Sequence, residues 1–320
     1  MSSLTNSTAL PALRNPRDNH VNPASWLART AALLLLIMAE LCVAEEVTQS
    51  FNGITVNANL EMAAGKDFND GMVLILHGMM GHNKMELVVA SQQILLENDL
   101  SSLAINLSLN LDNRHGYFDC NLPQAHLQQN AVKELALWVD WLRQRGAGKT
   151  ALMSHSRGAN QAMVYAAENS DPEISHVILL APGADDVKGS YEKRYGPIFD
   201  ANVRRMQERI GLNKGGEPVS NIDFWFCPRA EVTPDSFISY YGPDSKFRQF
   251  HKYLGKIQVP VLVIAGSQDE RFPNIPEQIG PMIDNQRLFL VVIEDSGHFF
   301  RDLNIEEAVE ALIEFIGYGG

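Results

Sequence analysis

The chain has 320 residues, 45% of them hydrophobic and 20% charged, and carries a formal net charge of −12. That length buries one large core, and the composition is ordinary for a globular protein with no repeat or low-complexity tract, so disordered, fibrous and solenoid architectures fall away. The acidic balance, without clustered Lys and Arg, excludes a nucleic-acid footprint.

In chain order, the first distinctive stretch is the short apolar run Ala31-Ala32-Leu33-Leu34-Leu35-Leu36-Ile37-Met38-Ala39, preceded by Arg14, Arg17 and Arg29 and followed by Cys42-Val43-Ala44. Small residues at 42 and 44 suit signal-peptidase cleavage before Glu45, and the run, with Glu40 close behind, is short for a membrane span. The expectation is a signal peptide over residues 1–44 and a periplasmic or secreted mature domain over 45–320. The alternative is an uncleaved anchor over residues 31–44. Cys120 and Cys227 remain after cleavage, and their spacing leaves open whether they pair.

Residues Ile54–Met62 read as antiparallel edge strand, and Gly71–Leu76 as a buried strand. A helix over residues 83–98 follows, then a strand over Ser102–Leu109 and a polar connection over residues 110–123. Leu127, Ala131, Leu135, Trp138 and Leu142, three or four apart, predict a long helix that Gly146 and Gly148 stop. Next come a strand at Thr150–Met153, a helix from Arg157 to Glu168 and a strand at Ser175–Ala181. The alternation breaks over residues 184–258, where polar stretches mix with aromatics such as Phe224, Trp225, Phe226 and Tyr240. This segment is expected to be a helical cap, with a stripe at Phe199, Val203, Met206 and Ile210 and a short helix capped by Thr233-Pro234. Regular order resumes with the strand Val261–Ala265, a helical region over Pro276–Ile283, the strand Leu288–Ile293 and a last helix over Ile305–Ile316. Alternating strands and helices of this kind predict an α/β fold, a mostly parallel, doubly wound sheet of about eight strands.

The chemistry sits where strands end. Ser154-His155-Ser156-Arg157-Gly158 places a serine on the tight turn between strand and helix, with small residues two before and two after it. A serine hydroxyl needs a base within hydrogen-bond reach, and the base needs a carboxylate to fix its tautomer. Asp269 follows the strand Val261–Ala265, and His298 follows the strand Leu288–Ile293, in the order Ser, Asp, His. Glu270 and the Asp185-Asp186 pair compete for the carboxylate role. Donors for a developing oxyanion are expected from the backbone N–H groups of Arg157, directly after the serine, and of Met79, in the loop His77-Gly78-Met79-Met80-Gly81-His82. The histidines of that loop lack a third ligand at suitable spacing, so neither a metal nor another cofactor is expected.

Taken together, the His77-Gly78 loop, the Ser156 turn, the Asp269 loop and the His298 loop resemble the α/β-hydrolase superfamily, near its esterase, lipase and serine-aminopeptidase-like branches, over about residues 50–318. Ser154 stands where that family usually has glycine. The resemblance implies the fold and an acyl hydrolase working through an acyl-enzyme on esters, thioesters, amides or peptides; the aromatic-rich cap makes a small-molecule acyl ester the expected substrate. Two other readings stay open, a peptidase or amidase, for which Glu217, Asp223 and Glu231 are the acids available to bind a peptide terminus, and a non-catalytic ligand-binding domain.

Overall fold

The computed structural model describes residues 44–183 and 187–317. The expected signal peptide or anchor, except for Ala44, lies outside them, as do Asp185 and Asp186. Ten strands and nine α-helices are present among the described residues: β1 (Glu45–Phe51), β2 (Ile54–Glu61), β3 (Met72–Leu76), α1 (Glu86–Glu97), β4 (Ser102–Asn106), α2 (Gln128–Gln144), β5 (Thr150–His155), α3 (Arg157–Glu168), β6 (Ile174–Leu180), α4 (Val187–Tyr195), α5 (Phe199–Gly211), β7 (Val219–Phe224), β8 (Cys227–Val232), α6 (Pro234–Tyr241), α7 (Phe250–Leu254), β9 (Val261–Gly266), α8 (Ile275–Ile279), β10 (Leu288–Ile293) and α9 (Leu303–Gly317). Eight of the strands form one sheet in the order β1-β2-β4-β3-β5-β6-β9-β10. It is parallel from β4 onward, and β2 runs antiparallel to both β1 and β4.

The central strands are largely apolar and buried on both faces, because helices cover the sheet on either side. Leu74, Leu76, Leu152, Leu179 and Val263 face one layer, with Leu135, Trp138 and Met163 of α2 and α3. Val73, Ile75, Met153, Ile178 and Ile264 face the other, with Leu87 and Leu95 of α1 and Val309 and Leu312 of α9. Successive residues of each strand alternate between the layers, which is the two-residue period of a pleated chain. The register pairs Leu76 with Ser154, Ser154 with Leu179, Leu180 with Ile264, and Ile293 with Gly266. The C-terminal ends of β3, β5, β6, β9 and β10 therefore line up along one edge.

Three boundaries depart from the periodicity. α1 begins at Glu86 rather than residue 83, because the Asn83 side chain donates to the Ala104 carbonyl at 3.2 Å and Met85 caps the helix in an extended conformation. β4 stops at Asn106, although Leu107 and Leu109 continue the apolar run, since Leu109 and Asn110 take φ of 48° and 66° and turn the chain away. The segment between β6 and β9 is mainly helical, as expected of a cap, and contains in addition the antiparallel hairpin β7–β8, which the sequence pattern did not show. Asn221 in β7 and Arg229 in β8, at φ of 58° and 53°, break the alternation that would have marked these strands. The capped short helix is present as α6, where the Thr233 hydroxyl accepts from the Ser236 N–H at 3.2 Å.

Cys120 and Cys227 form a disulfide with Cα atoms 5.2 Å apart. It ties the polar connection after β4 to the hairpin. A backbone bond from Gln124 N–H to the Glu231 carbonyl at 2.7 Å reinforces the junction. Among the described residues no helix is long and apolar enough to cross a membrane.

Candidate active site

β5 delivers Ser156 at its C-terminal end, and α3 begins at the next residue. Ser156 has φ 54° and ψ −123°, an unfavourable backbone region for a residue with a Cβ. Its surroundings hold it there. Its N–H donates to the Leu180 carbonyl at 2.8 Å, and α3 packs so tightly on β3 that a Cβ at Gly158 would lie 2.3 Å from the His77 carbonyl oxygen. Ser154 fits the place usually taken by glycine because its hydroxyl turns into the sheet and donates to the Ile178 carbonyl at 3.2 Å.

The Ser156 hydroxyl oxygen lies 2.9 Å from His298 Nε2, and His298 Nδ1 lies 2.9 Å from Asp269 Oδ2. All three residues are buried. Asp269 Oδ1 accepts from the N–H groups of Arg271 and Phe272 at 2.8 and 2.9 Å. Burial works to raise the Asp269 carboxyl, but the His298 hydrogen bond and charge, with the two backbone donors, outweigh it and hold its pKa below the usual carboxylate value. The carboxylate therefore stays ionised at neutral pH and fixes the hydrogen on His298 Nδ1, which leaves Nε2 facing the serine. Of the competing acids, Glu270 is exposed; its Oε2 accepts from the His298 N–H at 3.4 Å. The loops bearing Asp269 and His298 are pressed together, as a Cβ at Gly266 would meet the Ser296 carbonyl oxygen at 2.3 Å.

His155 was not singled out by its place in the sequence, yet it buttresses the base. Its Nε2 lies 2.8 Å from the His298 carbonyl, which can only accept, so Nε2 carries the hydrogen. Burial first, and the neighbouring His298 second, depress its pKa to about 3, so the ring is neutral. Its position next to the nucleophile was the only signal available.

A cavity of about 320 Å³ opens over the serine, lined by Ser156, His298, Met79, Arg157, Phe118, Phe272 and Phe299 among others. Both expected oxyanion donors, Met79 and Arg157, are thus at the cavity. The Met79 loop is anchored by Arg114, in a loop expected from the sequence to overhang the pocket; Arg114 is instead buried against the loop's Gly81 carbonyl. Its guanidinium donates to the Gly81 carbonyl at 2.8 Å, to Asn106 Oδ1 at 2.6 Å and to the Leu107 carbonyl at 2.8 Å. His77 is fully engaged as well: Nδ1 meets the Gly78 carbonyl at 2.8 Å, and Nε2 accepts from the Leu107 N–H at 3.1 Å. No group of three or more His, Cys, Asp or Glu side chains able to hold a metal is present among the described residues. Glu217, Asp223 and Glu231 are not among the cavity's lining residues, and Glu217 instead pairs with Arg209 at 3.1 Å.

No family model and no curated protein matches the sequence. Solved structures do resemble it. Est1E from Butyrivibrio proteoclasticus superposes with a TM-score of 0.56 at 22% identity, covering 85% of this chain and 97% of its own. Dienelactone hydrolase from Anabaena variabilis gives 0.53 at 17% identity, covering 86% and 97%. Mouse alpha/beta hydrolase domain-containing protein 10 gives 0.56 at 13% identity, covering 87% and 100%. Sheet order and these superpositions show that this chain has the α/β-hydrolase fold.

Proposed function

We propose that the protein is a serine hydrolase that cleaves a carboxylic ester through an acyl-enzyme. The observation that carries this reading is the continuous chain from Ser156 Oγ to His298 Nε2 and from His298 Nδ1 to Asp269, at 2.9 Å in both links. Ser156 Oγ attacks the ester carbonyl carbon while its proton passes to His298 Nε2. The carbonyl oxygen becomes an oxyanion beside the N–H groups of Met79 and Arg157. On collapse the alcohol leaves, taking the proton from His298, and the acyl group stays on Ser156. Water then attacks the acyl carbon, giving its proton to His298, and the acid departs as Ser156 recovers its hydrogen. The apolar cavity wall suits a partly apolar acyl or alcohol group. The neighbour Est1E has also been determined with ferulic acid bound, and an aromatic acyl group of that kind suits the Phe118, Phe272 and Phe299 lining of this cavity.

The reading includes an exported protein. The Cys120–Cys227 bridge belongs in an oxidising compartment, and residues 31–44 have the pattern of a cleaved leader. Intact mass of the protein recovered from a periplasmic fraction checks this; a chain that begins at Glu45 supports it, and a full-length cytosolic chain refutes it.

Labelling with a fluorophosphonate, followed by a panel of nitrophenyl esters and aminoacyl anilides, tests the chemistry. Ser156→Ala is expected to abolish labelling and to lower ester turnover by roughly four to six orders of magnitude. Anilide cleavage without ester cleavage would make the protein an amidase. A folded protein that neither labels nor turns over would be a binding domain.

A further inference from the structure

Beside the serine cavity lies a second chamber of about 390 Å³, enclosed by α4, the hairpin turn and the loop after Asp269. The two share the wall formed by Trp225, Phe226 and Phe272, with Arg157 and Arg271 reaching both. The chamber's sides are aromatic, but its charged lining runs against the molecule's acidic balance. Among its described residues, Arg157, Lys193, Arg194 and Arg271 stand against the single carboxylate of Glu270. Asp185 and Asp186 adjoin it in sequence and lie outside the described residues. Lys193 and Arg194 have no carboxylate partner among the described residues, whereas Arg271 Nε is 3.7 Å from Glu270.

The cations are held in a particular way. Arg194 and Arg271 both sit over Phe226, at 4.8 and 5.1 Å from its ring centroid, and Arg157 sits 4.8 Å over Trp225. Stacking on an aromatic face fixes a guanidinium plane while leaving N–H edges for a planar acceptor, and carboxylate matches that fork. Two guanidinium groups near one ring, with Lys193 in the same lining, make the local potential positive and favour an anionic ligand group. Apolar sides with a cationic rim fit a ligand that has an apolar body and an anionic end.

We propose that this chamber is a subsite for a carboxylate borne by the substrate, so that the preferred ester is an acidic one, such as the half-ester of a dicarboxylic acid. The ester bond lies at Ser156, and the remote carboxylate lies among Lys193, Arg194 and Arg271. This assignment rests on the ester-hydrolase reading.

The test compares p-nitrophenyl hydrogen adipate with p-nitrophenyl methyl adipate, which differ only in the remote charge. The wild type is expected to favour the acidic ester in kcat/KM. The ratio of the two values is expected to fall about tenfold in Lys193→Gln/Arg194→Gln, the sum of two exposed ion pairs. Both residues are exposed, and the neutral methyl ester reports any shift of the Phe226 wall that follows loss of the Arg194 stack. Equal rates on the two esters, or a preference that survives the double variant, overturns the proposal. If neither ester is cleaved, the ester reading fails by itself. Calorimetric binding of adipate to Ser156→Ala, and to the same protein with both Gln substitutions, then decides the chamber. Binding lost with the two cations upholds the subsite, and no binding to Ser156→Ala overturns it.

Discussion

Ser154 and Gly158 flank the nucleophile at equal distances, but they are constrained differently. Ser154 spends its hydroxyl on the Ile178 carbonyl, so Ser154→Gly loses one buried hydrogen bond and gains backbone freedom, costing about 1 to 2 kcal/mol. At Gly158 there is no room at all, with the His77 carbonyl oxygen 2.3 Å from where a Cβ would be. Gly158→Ala must move either the start of α3 or the end of β3, which carry the serine and the Met79 loop. Displacement on the order of 1 Å at a reacting group costs about a hundredfold in rate, and kcat for a nitrophenyl ester is expected to fall by that factor in Gly158→Ala and far less in Ser154→Gly. Equal effects of the two changes would contradict the packing account.

The hairpin β7–β8 overhangs the cavity and is held from one side by the Cys120–Cys227 bridge, which closes a sequence separation of 107 residues. Cys120 itself lines the serine cavity, and Trp225 and Phe226 sit at the hairpin turn. Opening so long a loop in the unfolded chain costs stability, typically about 2 to 5 kcal/mol for a native bridge. Cys120→Ser/Cys227→Ser is therefore expected to lower the denaturation midpoint. The same pair is expected to raise KM for esters more than it lowers kcat, because the hairpin supplies binding walls and none of the reacting groups. A fall in kcat with KM unchanged would place the effect at the Ser156 chain instead.

Across the molecule, buried ionisable groups set the response to pH. His77, His126 and His155 are buried neutral, each with its pKa pulled down to about 3, chiefly by burial. The unfolded chain binds protons at these sites below its ordinary histidine pKa of about 6.5 while the folded chain does not. Their contribution is full above that value and is lost as pH falls towards 3. Glu134 acts in the opposite sense, since burial lifts its pKa to about 7 despite two hydrogen bonds from Ser108. Its folded form keeps a proton that the unfolded form releases, so its contribution declines as pH rises from about 4.5 to 7. Three histidines outweigh one carboxyl by about two protons, so stability is expected to rise by about 2 to 3 kcal/mol per unit between pH 5 and 6. Urea midpoints across that range measure the slope, and Glu134→Gln is expected to steepen it. A flat profile in the wild type would show that the histidines are not neutral in the folded state.

Seven of the ten strands among the described residues, β2 to β6 with β9 and β10, most helices, and the residues Ser156, Asp269 and His298 are legible in the sequence. Each leaves a local trace: an apolar run, a three-to-four spacing, or a turn after a strand. Short-range sterics and burial act on neighbours along the chain, so they write themselves into neighbouring residues. The remainder rests on contacts between distant segments. Cys120 and Cys227 carry no mark of their distance, His155 reaches a carbonyl 143 residues away, and Arg114 looks like any loop cation until β4 and the Met79 loop close around it. The hairpin in the cap was hidden because left-handed residues interrupt its alternation, and the basic chamber exists only where α4, Phe226 and Arg271 converge. A chain that is acidic as a whole gathers positive charge beside its serine, because the sum of charges is a property of composition whereas their placement is a property of packing.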